Sequence, residues 1–160
     1  MLSVQIICVG KLKEAFYTDA ANEYRKRLGG YCKFSLTELP EERLPDRPSP
    51  AQIEGALAKE GAAVLSRLPK GGAVVAMCVE GQPLSSEGLA EKVAAWAGSG
   101  RSQITFLIGS SFGLHPDVKK AADFRLSMSQ MTFPHHLARV MILEQIYRAF
   151  KIQEGSGYHK

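Results

Sequence analysis

The chain has 160 residues, a formal net charge of +4, 45% hydrophobic and 22% charged residues, and three cysteines. Such a length makes one ordinary domain, residues 1–160, that buries a core without disulfides or metal, and the composition excludes fibrous, disordered and membrane-spanning classes. The mild positive charge admits a nucleic-acid partner without singling one out.

Cys8, Cys32 and Cys78 each sit alone in apolar runs, with no CxxC pair and no zinc-like spacing; they predict buried, reduced thiols. No apolar run approaches the roughly 20 residues that span a bilayer. The start of the chain is strand-like and lacks a signal-peptide pattern. These features predict a cytoplasmic protein with no membrane contact and no metal.

In chain order, VQIICVG (4–10) is a short apolar run ending at glycine, the pattern of a buried parallel strand. Phe16, Ala20, Tyr24 and Leu28 recur at intervals of four and predict a helix stopped by Gly29 and Gly30. KFSLTEL (33–39) alternates and suits an edge strand. PEERLPDRPSP (40–50) holds half of the chain's eight prolines and reads as an exposed loop. Ser49, Pro50 and Gln52 then open a helix with a capping box. AVVAMCV (73–79) and ITFLIG (104–109) are two more buried strands, separated by a helix through Leu89, Val93 and Trp96. The alternation predicts an α/β fold with a mostly parallel sheet and helices on both faces. Ligands of such sheets bind beyond the carboxyl ends of the strands.

Four segments carry possible chemistry. IGSSFG (108–113) is a glycine-bearing turn after a buried strand, either a plain connection or a loop whose backbone meets a ligand. It matches no nucleotide-phosphate motif, which disfavours a flavodoxin-like nucleotide binder. LSMSQMT (126–132) is half polar, as an edge strand would be, or as a segment that leaves the sheet early and spends its backbone hydrogen bonds on a ligand. FPHHLARV (133–140) opens a helix on which His135 and Arg139 project into the apolar stripe of Ile142, Leu143, Ile146 and Phe150. Glu144, Arg148 and Lys151 form the opposite, solvent-facing stripe. An arginine that stays charged among apolar neighbours needs a paired anion or a polar cleft, so this helix end borders one or the other. Leu137, Val140 and Met141 extend the apolar surface beyond what one core uses, which predicts packing on a second copy of the chain. The last segment, GSGYHK (155–160), is flexible by composition yet carries a ring, an imidazole and a cation.

FLIGSSFGL, LSMSQMTFPHHLARV, EQIYRAFKI and the terminal YHK resemble the ribosomal RNA large subunit methyltransferase H family, of the SPOUT class; VGKLKEAF, EYRKRLG and LSSEGLA extend the resemblance over essentially the whole chain. The resemblance implies a homodimer with a deep C-terminal trefoil knot, a feature periodicity never reveals. It also implies methylation of N3 of a pseudouridine in large-subunit (23S) ribosomal RNA, within the ribosome, with S-adenosyl-L-methionine as methyl donor. By position, the cofactor contacts are Met77, Gly109, Met128, Ser129, Gln130, Met131, Thr132 and Phe133. The catalytic and substrate-binding candidates are His135, Arg139, Tyr158 and His159.

In that reading His135 or His159 takes the N3 proton, and Arg139 holds a phosphate or the developing imide anion. In a composite site Tyr158 of the other subunit's tail stacks on or borders the base, while His159 contacts phosphate or assists proton removal. Lys11, Lys13, Arg25, Lys26 and Arg27 add general attraction to RNA. Ser110 stands where the family commonly has glycine, and Met77 where many members have leucine. A non-catalytic RNA-binding or ribosome-assembly protein on the same fold is the alternative.

Overall fold

Strands and helices alternate along the whole chain in the computed structural model, which describes residues 1–159. They are β1 (Ser3–Val9), α1 (Ala15–Leu28), β2 (Lys33–Leu39), α2 (Pro50–Leu65), β3 (Ala73–Pro83), α3 (Ser86–Gly98), β4 (Gln103–Ile108), α4 (Pro116–Ala121), β5 (Phe124–Ser127) and α5 (His135–Gln153). The strands form one five-stranded sheet in the order β2-β1-β4-β3-β5, with every neighbouring pair parallel. KFSLTEL is indeed an edge strand, and the central strands are the continuous apolar runs.

Side chains alternate between two cores. Val4, Ile6 and Cys8 join Ile104, Phe106 and Ile108 under α1, α3 and α5. Ile7 and Val9 join Val74, Ala76 and Leu107 under α2 and α4. Cys8 and Cys32 are buried, Cys78 is half-buried, and all are free thiols. Among the described residues no helix is long and apolar enough to cross a membrane.

The capping box at α2 forms in full: the Ser49 hydroxyl accepts the Gln52 N–H, and the Gln52 side chain accepts the Ser49 N–H. Two expectations need correction. Phe16 is 65% exposed, because a spacing of four overshoots the helical repeat and carries Phe16 about 120° around the helix from Leu28. Its ring lies against Tyr17 at a centroid distance of 4.4 Å. The second concerns α5, whose Glu144 and Arg148 side chains retain only 18% and 24% exposure. The chain's own tail covers them, so this stripe is not free in solvent.

A parallel sheet gathers the carboxyl ends of all its strands at one edge. Gly10, the Gly109 turn, the end of β5 and the start of α5 therefore meet there.

Candidate active site

The turn after β4 is built around a missing side chain. A Cβ on Gly109 would collide with the Gly113 carbonyl and stand 2.8 Å from the Leu114 nitrogen. The turn is closed by the Gly113 N–H, which donates to the Ser110 carbonyl at 2.8 Å, and Gly113 itself has φ of +84°. Its serines are also held: Ser110 donates to Glu60 at 2.8 Å and Ser111 to Glu41 at 3.3 Å.

Opposite this turn, β5 stops after four residues and the chain leaves the sheet at Met128. LSMSQMT is thus an edge strand as far as Ser127 and a loop beyond it. The Ser127 hydroxyl donates to the Ser129 carbonyl at 3.0 Å, and the Met131 N–H donates to the Ser129 hydroxyl at 3.0 Å. That tight turn leaves Gln130 at its apex, exposed to solvent.

Between the two loops lies a cleft of about 300 Å³, at the small end of ligand-site sizes. Its walls include Met77, Gly109 and, from the loop after β5, Met128, Ser129, Met131, Thr132 and Phe133. Gln130 is the one cofactor candidate whose side chain is not among them. Sequence reasoning passed over other parts of the wall. Cys78, Val79 and Glu80 bulge out of β3, and Glu80 is ion-paired to Lys119 in the last turn of α4. Phe112 and Met131, 46% and 73% exposed, stand at the mouth.

His135 lines the same cleft. Its buried Nε2 has no hydrogen-bond partner among the described residues. Gly10, with φ of +105°, presents a bare Cα to it: a Cβ there would stand 3.6 Å from His135 Nε2 and 3.3 Å from a Glu41 carboxylate oxygen. Desolvation, and then the adjacent His136 and Arg139, lower the His135 pKa below the ordinary imidazole value, against the opposing pull of Glu41 and Glu14. The ring is neutral near pH 7 and able to accept a proton.

Arg139 lies elsewhere within the chain. It is 2% exposed, donates to Glu38 at 2.7 Å and to the Gly10 carbonyl at 3.0 Å, and does not line the cleft. The anion it requires is a carboxylate of the chain itself. Glu38 also accepts the Leu12 N–H at 3.3 Å, so the pair ties α5 to the loop after β1.

Tyr158 and His159 are likewise not brought to the cleft within the chain. The Tyr158 hydroxyl donates to Glu144 at 3.0 Å, and its ring meets Tyr147 at 5.2 Å and the Arg148 guanidinium at 4.8 Å. His159 bridges Arg148 at 3.1 Å and Glu87 at 2.6 Å. Lys160, the cation of that tail, lies outside the described residues.

A parallel α/β sheet with a cleft beyond its strand ends, walled by a glycine turn and an irregular strand exit, defines an α/β protein built to hold a small ligand of mixed polarity. The family described as "Predicted SPOUT methyltransferase" matches residues 2–159, and the chain belongs to it. It is therefore a methyltransferase of the kind that draws its methyl group from S-adenosylmethionine. Among solved structures it is similar to "The structure of a probable methylase family protein from Haemophilus influenzae Rd KW20". The two are 14% identical over 98% of this chain and 70% of that chain, with a TM-score of 0.56, a likeness of fold.

Proposed function

We propose that the protein methylates N3 of a pseudouridine in large-subunit ribosomal RNA, as a homodimer of the ribosomal RNA large subunit methyltransferase H type. The observation that carries this reading is the cleft, where a loop free of sheet pairing faces a glycine turn and an unpartnered imidazole. Those features fit S-adenosylmethionine. Met77, Met128 and Phe133 offer apolar surface, and the backbone of 128–133, free of sheet pairing, offers donors and acceptors beyond those used in the Ser129 turn to a nucleoside and an amino acid. When bound, the cofactor supplies an electrophilic methyl group. The chain's own part is to hold the imide in line, exclude water, and take the N3 proton at the His135 imidazole. Arg139 acts here as a positioning residue through Glu38 and Gly10.

A C-terminal trefoil knot belongs to this reading. What supports it is family membership. Support for the dimer comes from Leu137, Val140 and Met141, which stay half-exposed outside both core clusters.

The test is incubation of ribosomes with methyl-labelled cofactor, followed by mapping of the labelled nucleotide. Label at one pseudouridine N3 of the large-subunit RNA is expected. Label confined to other nucleotides, or none, would overturn the assignment.

A further inference from the structure

Glu60 is a carboxylate only 6% exposed, on a helix that contributes no side chain to the cleft. Burial pushes its acid up from the ordinary carboxylate range, and the bonds it accepts pull it back. Those bonds join two loops. One oxygen accepts the Ser110 hydroxyl at 2.8 Å, and the other accepts the main-chain N–H of Glu42 at 2.9 Å. Ser110 belongs to the glycine turn on one side of the cleft. Glu42 follows Glu41, whose carboxylate accepts the Ser111 hydroxyl and stands with His135 Nε2 over the bare Cα of Gly10.

Burying a carboxylate costs several kcal/mol unless its hydrogen bonds are good. Covering the sheet here needs only an apolar side chain. The turn, meanwhile, contains Gly109 and Gly113, which lose the most backbone freedom on ordering. A hydroxyl at position 110 gives that turn an anchor that glycine cannot.

We propose that Glu60 is a positioning residue of the active site, clamping the Ser110 turn to the Glu41–Glu42 segment so that the glycine-turn wall of the cleft is set before the cofactor binds. The inference rests on the reading of the cleft as the S-adenosylmethionine site. Preorganisation lowers the cost of ordering on binding, so loss of the clamp falls on cofactor affinity rather than on the chemical step.

The experiment titrates S-adenosylmethionine into full-length wild type, Ser110→Ala, Glu60→Ala, Glu60→Gln and the Ser110→Ala/Glu60→Ala double variant, and measures steady-state methylation of ribosomes with each. Ser110→Ala and Glu60→Ala each raise the Kd and the cofactor KM by about 5–20-fold, while kcat at saturating cofactor stays within about threefold. The double variant is no weaker than Glu60→Ala, because both break one link. Glu60→Gln recovers most of the affinity, since its amide oxygen accepts the Glu42 N–H and its amino group donates to Ser110. A purely structural Glu60 would lower the melting temperature and leave the Kd of the folded protein unchanged. If Glu60→Ala does not fold, Ser110→Ala decides, as it removes one hydroxyl. A folded Ser110→Ala with wild-type affinity overturns the clamp alone. A wild type that binds no S-adenosylmethionine overturns the site reading, and the clamp with it.

Discussion

An imidazole nitrogen buried without a partner costs about 1–3 kcal/mol, so His135 is a place where stability gives way to something else. Substitution by alanine is expected to lower kcat by roughly a hundredfold, with cofactor Kd changed only a few-fold; single-turnover methylation and calorimetry separate the two. Desolvation lowers the folded-state pKa of His135, so the acid limb of kcat/KM should fall below pH ~6.5. The same depression has a stability sign. Between the folded value and the ordinary one the unfolded chain binds the extra proton, so stability drops as pH falls through that window. Denaturant titrations across it should show a smaller drop in His135→Ala than in wild type. At Arg139 the expectation differs. Its two terminal guanidinium nitrogens bond Glu38 and Gly10, while its buried Nε has no partner among the described residues, and Arg139→Ala empties a fully buried site, which destabilises by about 2–4 kcal/mol. A variant as stable as wild type but slow in methyl transfer would return Arg139 to the reaction itself. Gly109 resists a clean test of cofactor approach. A valine there meets the Gly113 carbonyl before any ligand, so loss of binding should come with a lower melting temperature.

Among the elements, α5 is where sequence and structure part company most instructively. Its apolar stripe was legible, and Ile142, Leu143 and Ile146 are indeed buried. So were the central strands, because a strand covered on both faces must be apolar throughout. The need of Arg139 for an anion was legible too, but not its identity, since Glu38 lies 101 residues away. The Glu60–Ser110 bond, across 50 residues, left no local signal at all. LSMSQMT could not be resolved between edge strand and exit because periodicity does not record where backbone hydrogen bonds go, and the segment proved to be one and then the other. Gln130 shows the same limit at the scale of one turn. The supposedly solvent stripe of Glu144 and Arg148 failed because nothing in a helical wheel predicts a tail folding back on it. What α5 still leaves only partly covered is the Leu137–Val140–Met141 face. If a second copy packs there, Val140→Glu should yield monomers in sedimentation while keeping the wild-type circular dichroism. A wild type that is already monomeric at micromolar concentration would refute the dimer.

For the whole molecule, the open matter is how Tyr158 and His159 could serve a cleft they do not reach. Their contacts Glu144 and Arg148 lie roughly 14 and 20 Å along α5 from His135, at about 1.5 Å per residue. Within one chain that distance is fixed by the helix. Two copies related by a two-fold axis, with their α5 helices packed antiparallel, would bring the C-terminal half of one beside the N-terminal half of the other. The tail, docked in place by Tyr147, Arg148 and Glu87, would then border the partner's cleft without leaving its own helix. Deleting residues 158–160 should therefore spare the fold, the dimer and cofactor affinity, while cutting methyl transfer sharply. The geometry is tested by a mixed dimer, one chain lacking the tail and the other carrying His135→Ala. If tails act across the interface, the intact tail and the intact cleft fall in one composite site, and the mixture keeps about half of the wild-type rate per dimer. If each tail serves its own cleft, neither site is whole. A mixed dimer as inactive as its parents, with dimerisation and fold verified, would reject the cross-subunit arrangement.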